Sequence, residues 1–325
     1  MKTKVLRIHQ HGGPEALTWD EIDLPDPGPG EVLIRHAAIG FNFVDTYHRT
    51  GQLGHTVTFP LILGSQGAGV VEAIGDGVDG LTIGDRVTYA NLLGSYTEAR
   101  IVPADRMVKT PDDISDELAA AAFLRTLTAH YLLKRLYPVQ PGETILVHAA
   151  AGGTGQILCQ WSKALGATVI GTVSTDAKAE IARAAGCKHT IVYTHDNFPD
   201  KVMEITNGEG VPVVYDSVGR DTFLGSLECL QPMGMGINFG TASGQVEPFP
   251  LQHLHKKSLI VTRPTLATYV AKREDLKAAS KEVFEVLRDG TVKIDITQRF
   301  ALKDAAQAHR AIENRETTGT MILLP

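Results

Sequence analysis

The stretch Thr144 to Thr175, TILVHAAAGGTGQILCQWSKALGATVIGTVST, decides the fold. Thr144–His148 is an apolar run of strand length. Ala149–Gly155 is a turn of small residues, and Gln156–Leu165 is long enough for a helix that stops at Gly166. Thr168–Val173 is a second β-rich run. Strand, glycine turn, helix and strand in this order are the layout of a dinucleotide-binding βαβ unit. Written A-x-x-G-x-x-G, the turn places its small residues at Ala149, Gly152 and Gly155. Small residues let the backbone turn sharply and approach a pyrophosphate, and Gly155 lets the helix sit close on the strand. Gly152, Gly153 and Thr154 then lie at the helix start, where unpaired N–H groups and the positive dipole end attract phosphate.

The end of the second strand bears on which cofactor is bound. An NAD site places an acidic residue about 20 residues beyond the glycines, on the ribose 2′-hydroxyl. Here the strand ends Val173-Ser174-Thr175, with Asp176 just beyond and Lys178 after it. Ser174 and Thr175 offer hydrogen bonds and Lys178 a positive charge for a 2′-phosphate, which favours NADPH over NADH. The same residues also read as a helix start, with Ser174 and Asp176 capping and Lys178 on the solvated face.

The 325-residue chain is long enough for two domains with real cores. Its net charge is −6 and it has no basic tract, which argues against a nucleic-acid footprint and against docking on anionic lipid. No apolar run reaches membrane-spanning length, and MKTKVLRIHQHGG has no signal-peptide core, so a cytoplasmic location is expected. Cys159, Cys187 and Cys229 have no metal-motif spacing and read as buried thiols in a reducing compartment.

On either side the chain reads differently. Residues 1–125 show short β-rich runs broken by Gly and Pro: Lys4–His9, Glu31–Ile39, Gly69–Ile74, Asp85–Tyr89 and Ser95–Val102. This predicts an antiparallel, barrel-like domain, with a short helix over Phe43–Thr50 after Asn42. Ser115–Leu136 reads as largely helical. Over 126–262, strands and helices alternate: Asp176–Ala185, His189–Tyr193, Asn197–Thr206, Val211–Ser217, Thr222–Leu230 and Gly234–Phe239. Such alternation makes a doubly wound parallel sheet that binds ligands at the carboxyl ends of its strands. Ser217-Val218-Gly219 and Phe239-Gly240-Thr241 occupy such ends. The remainder, 263–325, carries an amphipathic helix Arg273–Arg288, a strand near Lys293–Ile296, a helix Leu302–Asn314 and a strand Gly319–Leu324. It is expected to return to the first domain.

The stretches Gly40–Tyr47 (GFNFVDTY), Gly64–Gly69 (GSQGAG), Val147–Gly155 (VHAAAGGTG), Val214–Asp221 (VYDSVGRD) and Val261–Pro264 (VTRP) together resemble the medium-chain dehydrogenase/reductase superfamily. The resemblance is to its zinc-free NADPH:quinone oxidoreductase, zeta-crystallin-like branch, and runs nearly end to end. It implies a GroES-like β-barrel catalytic domain completed by the tail, an inserted Rossmann domain, an active-site cleft between them and a homodimer. Zinc-dependent relatives carry Cys near Asn42, Gly-His-Glu where this chain has Gly64-Ser65-Gln66, and a four-Cys lobe. Zinc needs three or four N, S or carboxylate ligands, so no metal is expected.

By resemblance, Asn42 and Tyr47 lie beside nicotinamide and acceptor. Asn42 would bond the ribose or a substrate oxygen, while Tyr47 would stack or donate a proton. Arg263 lies near the cleft. Thr128 contacts the cofactor at the domain crossover, and Ser217, Phe239, Gly240 and Thr241 border the nicotinamide arm. Ser174, Lys178, Tyr193 and Arg315 surround the 2′-phosphate. Two departures stand out. Thr154 replaces a frequent Val, and Arg125 replaces a frequent Lys at a pocket position, where the two cations are not equivalent.

The implied reaction is hydride or single-electron transfer from NADPH to a quinone. Unlike an isolated ketone, a quinone yields an aromatic hydroquinone anion without a Lewis acid, so positioning carries the catalysis. Reduction of an enone or other activated double bond is the alternative. A non-catalytic NADPH- or RNA-binding or structural role is a further one, against which the acidic balance weighs.

Overall fold

A computed structural model of the chain describes every residue apart from Leu53, His55, Arg315, Glu316 and Thr318. The fold is α/β, and its contacts separate two compact units. The first comprises Met1–Leu127, Val270–Arg288 and Ile294–Pro325, and the second Thr128–Tyr269 with Asp289–Lys293.

The second unit is built on six parallel strands. In sheet order they are His189–Val192, Thr168–Val173, Thr144–Val147, Val211–Asp216, Leu230–Asn238 and Ile260–Thr262. The chain thus starts in the middle, winds to one edge, then returns and winds to the other, so the order reverses beside Thr144–Val147. Ile170 and Val214 flank Leu146 in register, one from each side. With Ile191, Phe223 and Leu230 they form a core closed to water. Helix Gly153–Ala164 starts straight after the glycine turn. Cys159 and Cys187 are both buried, with sulfurs 3.2 Å apart.

The first unit is mostly antiparallel. Its hub is Glu31–Gly40, which pairs with Gln66–Ile74 and Ala99–Pro103. At its end it also pairs with the chain's last strand, Thr320–Leu324, through Gly40–Ile322 and Ile39–Leu323. Ile39, Phe41, Leu63, Tyr96, Met321 and Leu323 share one core; Val32, Ile34, Val71, Val87 and Val102 share another. Helix Arg273–Arg288 buries Leu276, Ala279, Val283, Phe284 and Leu287, a stripe at helical spacing. Phe284 stacks on Phe123 at 5.6 Å.

Several elements differ from the reading of the sequence. The strand expected near Lys293–Ile296 instead spans Ile296–Ala301, because its partner Thr320–Leu324 sets the register. Leu17–Asp23 is an unforeseen strand paired with Lys2–Ile8. Its acidic residues disguise an alternating half-exposed pattern. The helical stretch expected over Ser115–Leu136 is present, as an α-helix Asp116–His130 continued by a π-helical stretch Tyr131–Leu136.

Candidate active site

In the second unit the turn is anchored before it is shaped. The Ala150 N–H bonds the Thr172 carbonyl at 3.1 Å, and the Gly152 N–H bonds the Ala149 carbonyl at 2.8 Å. Ala149 adopts φ 51°, which a small residue tolerates best. A Cβ on Gly155 would lie 2.2 Å from the Ala149 oxygen, so only glycine lets the helix come this close. Gly152 is the N-cap, and no side chain caps the helix. The first-turn N–H groups are therefore unspent, and the cradle fits a pyrophosphate in shape and in polarity.

Beneath the turn runs a buried polar chain. His148 Nδ1 lies 2.8 Å from Thr172 Oγ1, and its Nε2 lies 2.8 Å from Ser226 Oγ. Burial pushes this imidazole's pKa down and keeps the ring neutral. Because the single Ser226 hydroxyl proton goes to the Asp216 carboxylate, at 3.1 Å from Oδ2, or to the Thr222 carbonyl at 2.9 Å, Ser226 Oγ is left to accept from Nε2. The Asp216 carboxylate also accepts from Val218 N (2.8 Å), Gly219 N (2.9 Å) and Thr222 Oγ1 (2.8 Å). One buried carboxylate thus fixes the strand tip at Ser217-Val218-Gly219.

That tip is laced to the next one. Phe239 N bonds the Asp216 carbonyl, Ala242 N the Ser217 carbonyl and Ser243 N the Val218 carbonyl. A Cβ on Gly240 would meet the Ser217 oxygen at 2.6 Å. Ser217, Phe239, Gly240 and Thr241 are therefore brought together. Arg263 belongs with them: its guanidinium donates to Asn238 Oδ1, while Asn238 Nδ2 holds the Gly240 carbonyl at 2.9 Å. Thr128 is half-buried near the end of its helix.

At the end of Thr168–Val173, the N-cap of helix Asp176–Ala184 is Thr175, whose hydroxyl accepts from Lys178 N at 3.3 Å. This corrects the capping assigned to Ser174 and Asp176: the helix begins at Asp176, so the N-cap falls on Thr175 and Asp176 is the first helical residue. The Tyr193 N–H bonds the Val173 carbonyl, and Thr194 Oγ1 the Ser174 carbonyl, which places Tyr193 and Ser174 on adjoining strand ends. Lys178 is half-buried and joins no ion pair among the described residues. Arg315 lies outside the described residues.

In the first unit, Asn42 caps helix Phe43–Thr50 and is buried. Its N–H bonds Asp45 Oδ2 at 2.9 Å, and its amide oxygen accepts from Arg125 Nε at 3.2 Å. Asp45 also accepts from Ser65 Oγ at 2.7 Å, and burial raises its pKa to about 6. Tyr47 is buried one turn along, its ring set edge-on to Phe43 at 5.3 Å. The Gln66 amide oxygen takes the Leu124 N–H. Asn42, Ser65 and Gln66 supply neither thiolate nor imidazole, and among the described residues no three His, Cys, Asp or Glu side chains converge. This donor set does not fit zinc. The resemblance placed Arg125 at a pocket position without giving it a role, and the His148–Asp216 chain was not foreseen from sequence. The only signals for them were a cation inside an apolar helix and single polar residues closing two apolar strands.

Residues 28–112 match the alcohol dehydrogenase GroES-like domain family, and residues 153–285 the zinc-binding dehydrogenase family. The chain is 48% identical to a quinone oxidoreductase of Pseudomonas aeruginosa, over 99% of each chain. The chain belongs to the quinone oxidoreductase family of the medium-chain dehydrogenases/reductases. It is also 44% identical to a 2-haloacrylate reductase of Burkholderia, over 98% of each chain. Among solved structures, Escherichia coli quinone oxidoreductase complexed with NADPH superposes with a TM-score of 0.96 at 46% identity, covering 99% of this chain and 100% of that one. Among the described residues, no helix is long and apolar enough to cross a membrane.

Proposed function

We propose that this protein is an NADPH-dependent reductase that passes reducing equivalents to quinones without a metal. The observation that carries the reading is the cradle at Ala149–Gly155, where an uncapped helix start packs on the turn as closely as only glycine at position 155 permits. When bound, NADPH supplies a hydride from C4 of its nicotinamide. The chain's own residues do the rest. The N–H groups of Gly153 and Thr154 and the helix dipole hold the pyrophosphate. Lys178, Ser174 and Tyr193 receive the 2′-phosphate, with Arg315 as a further cation. Asp216 holds Ser217–Gly219, and Arg263, through Asn238, holds Gly240, so the nicotinamide arm meets a rigid border. Asn42 offers an amide N–H, and Tyr47 or water returns the proton to the reduced oxygen. The first domain serves the acceptor and the Rossmann domain the cofactor. A quinone needs no electrophilic metal, because two-electron reduction makes its ring aromatic.

The test is oxidation of NADPH by 1,4-benzoquinone, followed at 340 nm. Turnover with NADPH well above that with NADH supports the reading, and no turnover with either removes it. A second reading is reduction of an activated C=C bond, favoured by the similarity to the 2-haloacrylate reductase. Turnover of 2-chloroacrylate without turnover of benzoquinone would select it. A homodimer in the cytoplasm completes the proposal. Sedimentation at the mass of a single chain would refute the dimer.

A further inference from the structure

Arg125 lies in an apolar helix, is buried, and forms no ion pair among the described residues. Burial lowers its pKa to about 10, while the charge of Asp45, which does not touch it directly, acts to raise it, leaving the guanidinium charged at neutral pH. Its donors instead go to three neutral oxygens: Nε to Asn42 Oδ1 at 3.2 Å, Nη1 to Thr320 Oγ1 at 2.5 Å and Nη2 to the Phe41 carbonyl at 2.7 Å. A guanidinium has only donors. The atom of Asn42 that faces it must be the amide oxygen, since the flipped amide would set N–H against N–H. The other end of Asn42 is held by the opposite charge, its backbone N–H on Asp45 Oδ2 at 2.9 Å. Asn42 is thus clamped between a base on its side chain and an acid on its backbone. Of the two amide hydrogens, one is turned to the Gly40 carbonyl at 3.4 Å, and the other has no partner among the described residues.

We infer that Arg125 is a positioning residue that fixes the polarity of Asn42, so that Asn42 meets its ligand only as a hydrogen-bond donor and the ligand atom there is an oxygen lone pair. That oxygen belongs either to the carbonyl of the electron acceptor or to a hydroxyl of the nicotinamide ribose. The inference rests on the proposed reductase reading for the placement of Asn42, but its polarity argument does not. Lysine at position 125 is also donor-only, which predicts that it preserves the orientation. A neutral side chain there releases the amide to rotate.

The experiment compares Asn42→Asp, Arg125→Lys, Arg125→Met and the double variant Asn42→Asp/Arg125→Met. NADPH affinity is measured by fluorescence titration, benzoquinone kcat/KM by NADPH oxidation, and stability by thermal melting. Asn42→Asp keeps an oxygen against Arg125 but removes both amide hydrogens, the outward one and the one turned to the Gly40 carbonyl, while adding an ion pair with Arg125. Its melting temperature is expected to match or exceed that of the wild type. Either its NADPH affinity or its quinone kcat/KM is expected to fall roughly 10- to 100-fold. A fall confined to kcat/KM assigns the oxygen to the acceptor, and a fall in NADPH affinity assigns it to the ribose. Arg125→Met is expected to lose the same parameter about as much, the double variant no more than Asn42→Asp, and Arg125→Lys less than about threefold. The inference is overturned if Asn42→Asp keeps both parameters, or if the two losses multiply in the double variant. If Arg125→Met does not fold, Asn42→Asp and Arg125→Lys still decide the matter. Failure of the wild type to reduce quinone would sink the functional reading instead, and the NADPH-affinity arm would still report on Asn42.

Discussion

Replacing Gly155 with alanine tests the cradle most directly. The added Cβ would stand 2.2 Å from the Ala149 carbonyl oxygen and 2.9 Å from its carbon, both backbone atoms. Ordinary contact begins at 3.4 Å, so helix and turn must separate by about 1.2 Å. The turn cannot absorb this, because Ala149 also binds Gly152 N and Ala150 N is tied to Thr172. The helix start therefore retreats. A hydrogen bond of about 2.9 Å from its N–H groups to a phosphate would stretch beyond 4 Å and be lost. Losing one charge-assisted bond costs about 1.5–3 kcal/mol, or roughly 10- to 150-fold in NADPH affinity. Overpacking adds about 1–3 kcal/mol of instability. Gly152→Ala makes the comparison, since its Cβ meets the same oxygen at a milder 3.1 Å. Fluorescence titration with NADPH and thermal melting read both variants. Gly155→Ala is expected to lower affinity and melting temperature together, whereas Gly152→Ala leaves melting nearly unchanged. Gly155→Ala binding NADPH within twofold of the wild type would refute the reasoning.

Four further outcomes follow from the same geometry. Asp216→Asn sets an amide N–H against one of the donors that the carboxylate now accepts from, and is expected to cost about 2–4 kcal/mol in urea denaturation. An unchanged midpoint would show that the carboxylate is dispensable. Lys178→Ala is expected to lower the NADPH-over-NADH preference about tenfold, and an unaltered ratio of kcat/KM would remove Lys178 from the 2′-phosphate site. Thr154→Val is expected to change NADPH affinity less than about threefold, because the phosphate contacts of the turn are backbone N–H groups. Finally, burial holds His36 and His309 at pKa values of about 3. Below the unfolded value of 6.5, the unfolded chain takes up protons that the folded imidazoles refuse. Their stabilisation is complete above that pH and is lost as the pH falls toward 3. By pH 5 this amounts to about 2 kcal/mol each, against a gain of about 1 kcal/mol from Asp45, whose raised pKa makes acid favourable. Urea midpoints are expected to fall from pH 7 to pH 5, and to fall less in His36→Gln.

The parts of this protein that could be read in advance are local in the chain. The strand–turn–helix–strand unit is contained in Thr144–Val173, and each of its signals acts over a few residues: apolar runs, small residues at fixed offsets, a glycine stop. Helices Phe43–Thr50 and Arg273–Arg288 were equally plain, because a cap or an amphipathic stripe is written in consecutive residues. The register of Ile296–Ala301 and the strand Leu17–Asp23 were not, since each depends on a partner strand elsewhere in the chain.

The same division runs through the site. Sequence alone determined that a glycine cradle precedes a helix and that no acidic residue ends the following strand, since both are properties of neighbours along the chain. Only the tertiary structure decided that Arg125, 83 residues from Asn42, sets the direction of its amide, or that His148 reaches Asp216 through Ser226. Hydrogen-bond polarity depends on which groups folding buries side by side, and that adjacency is not encoded in any local period of the chain.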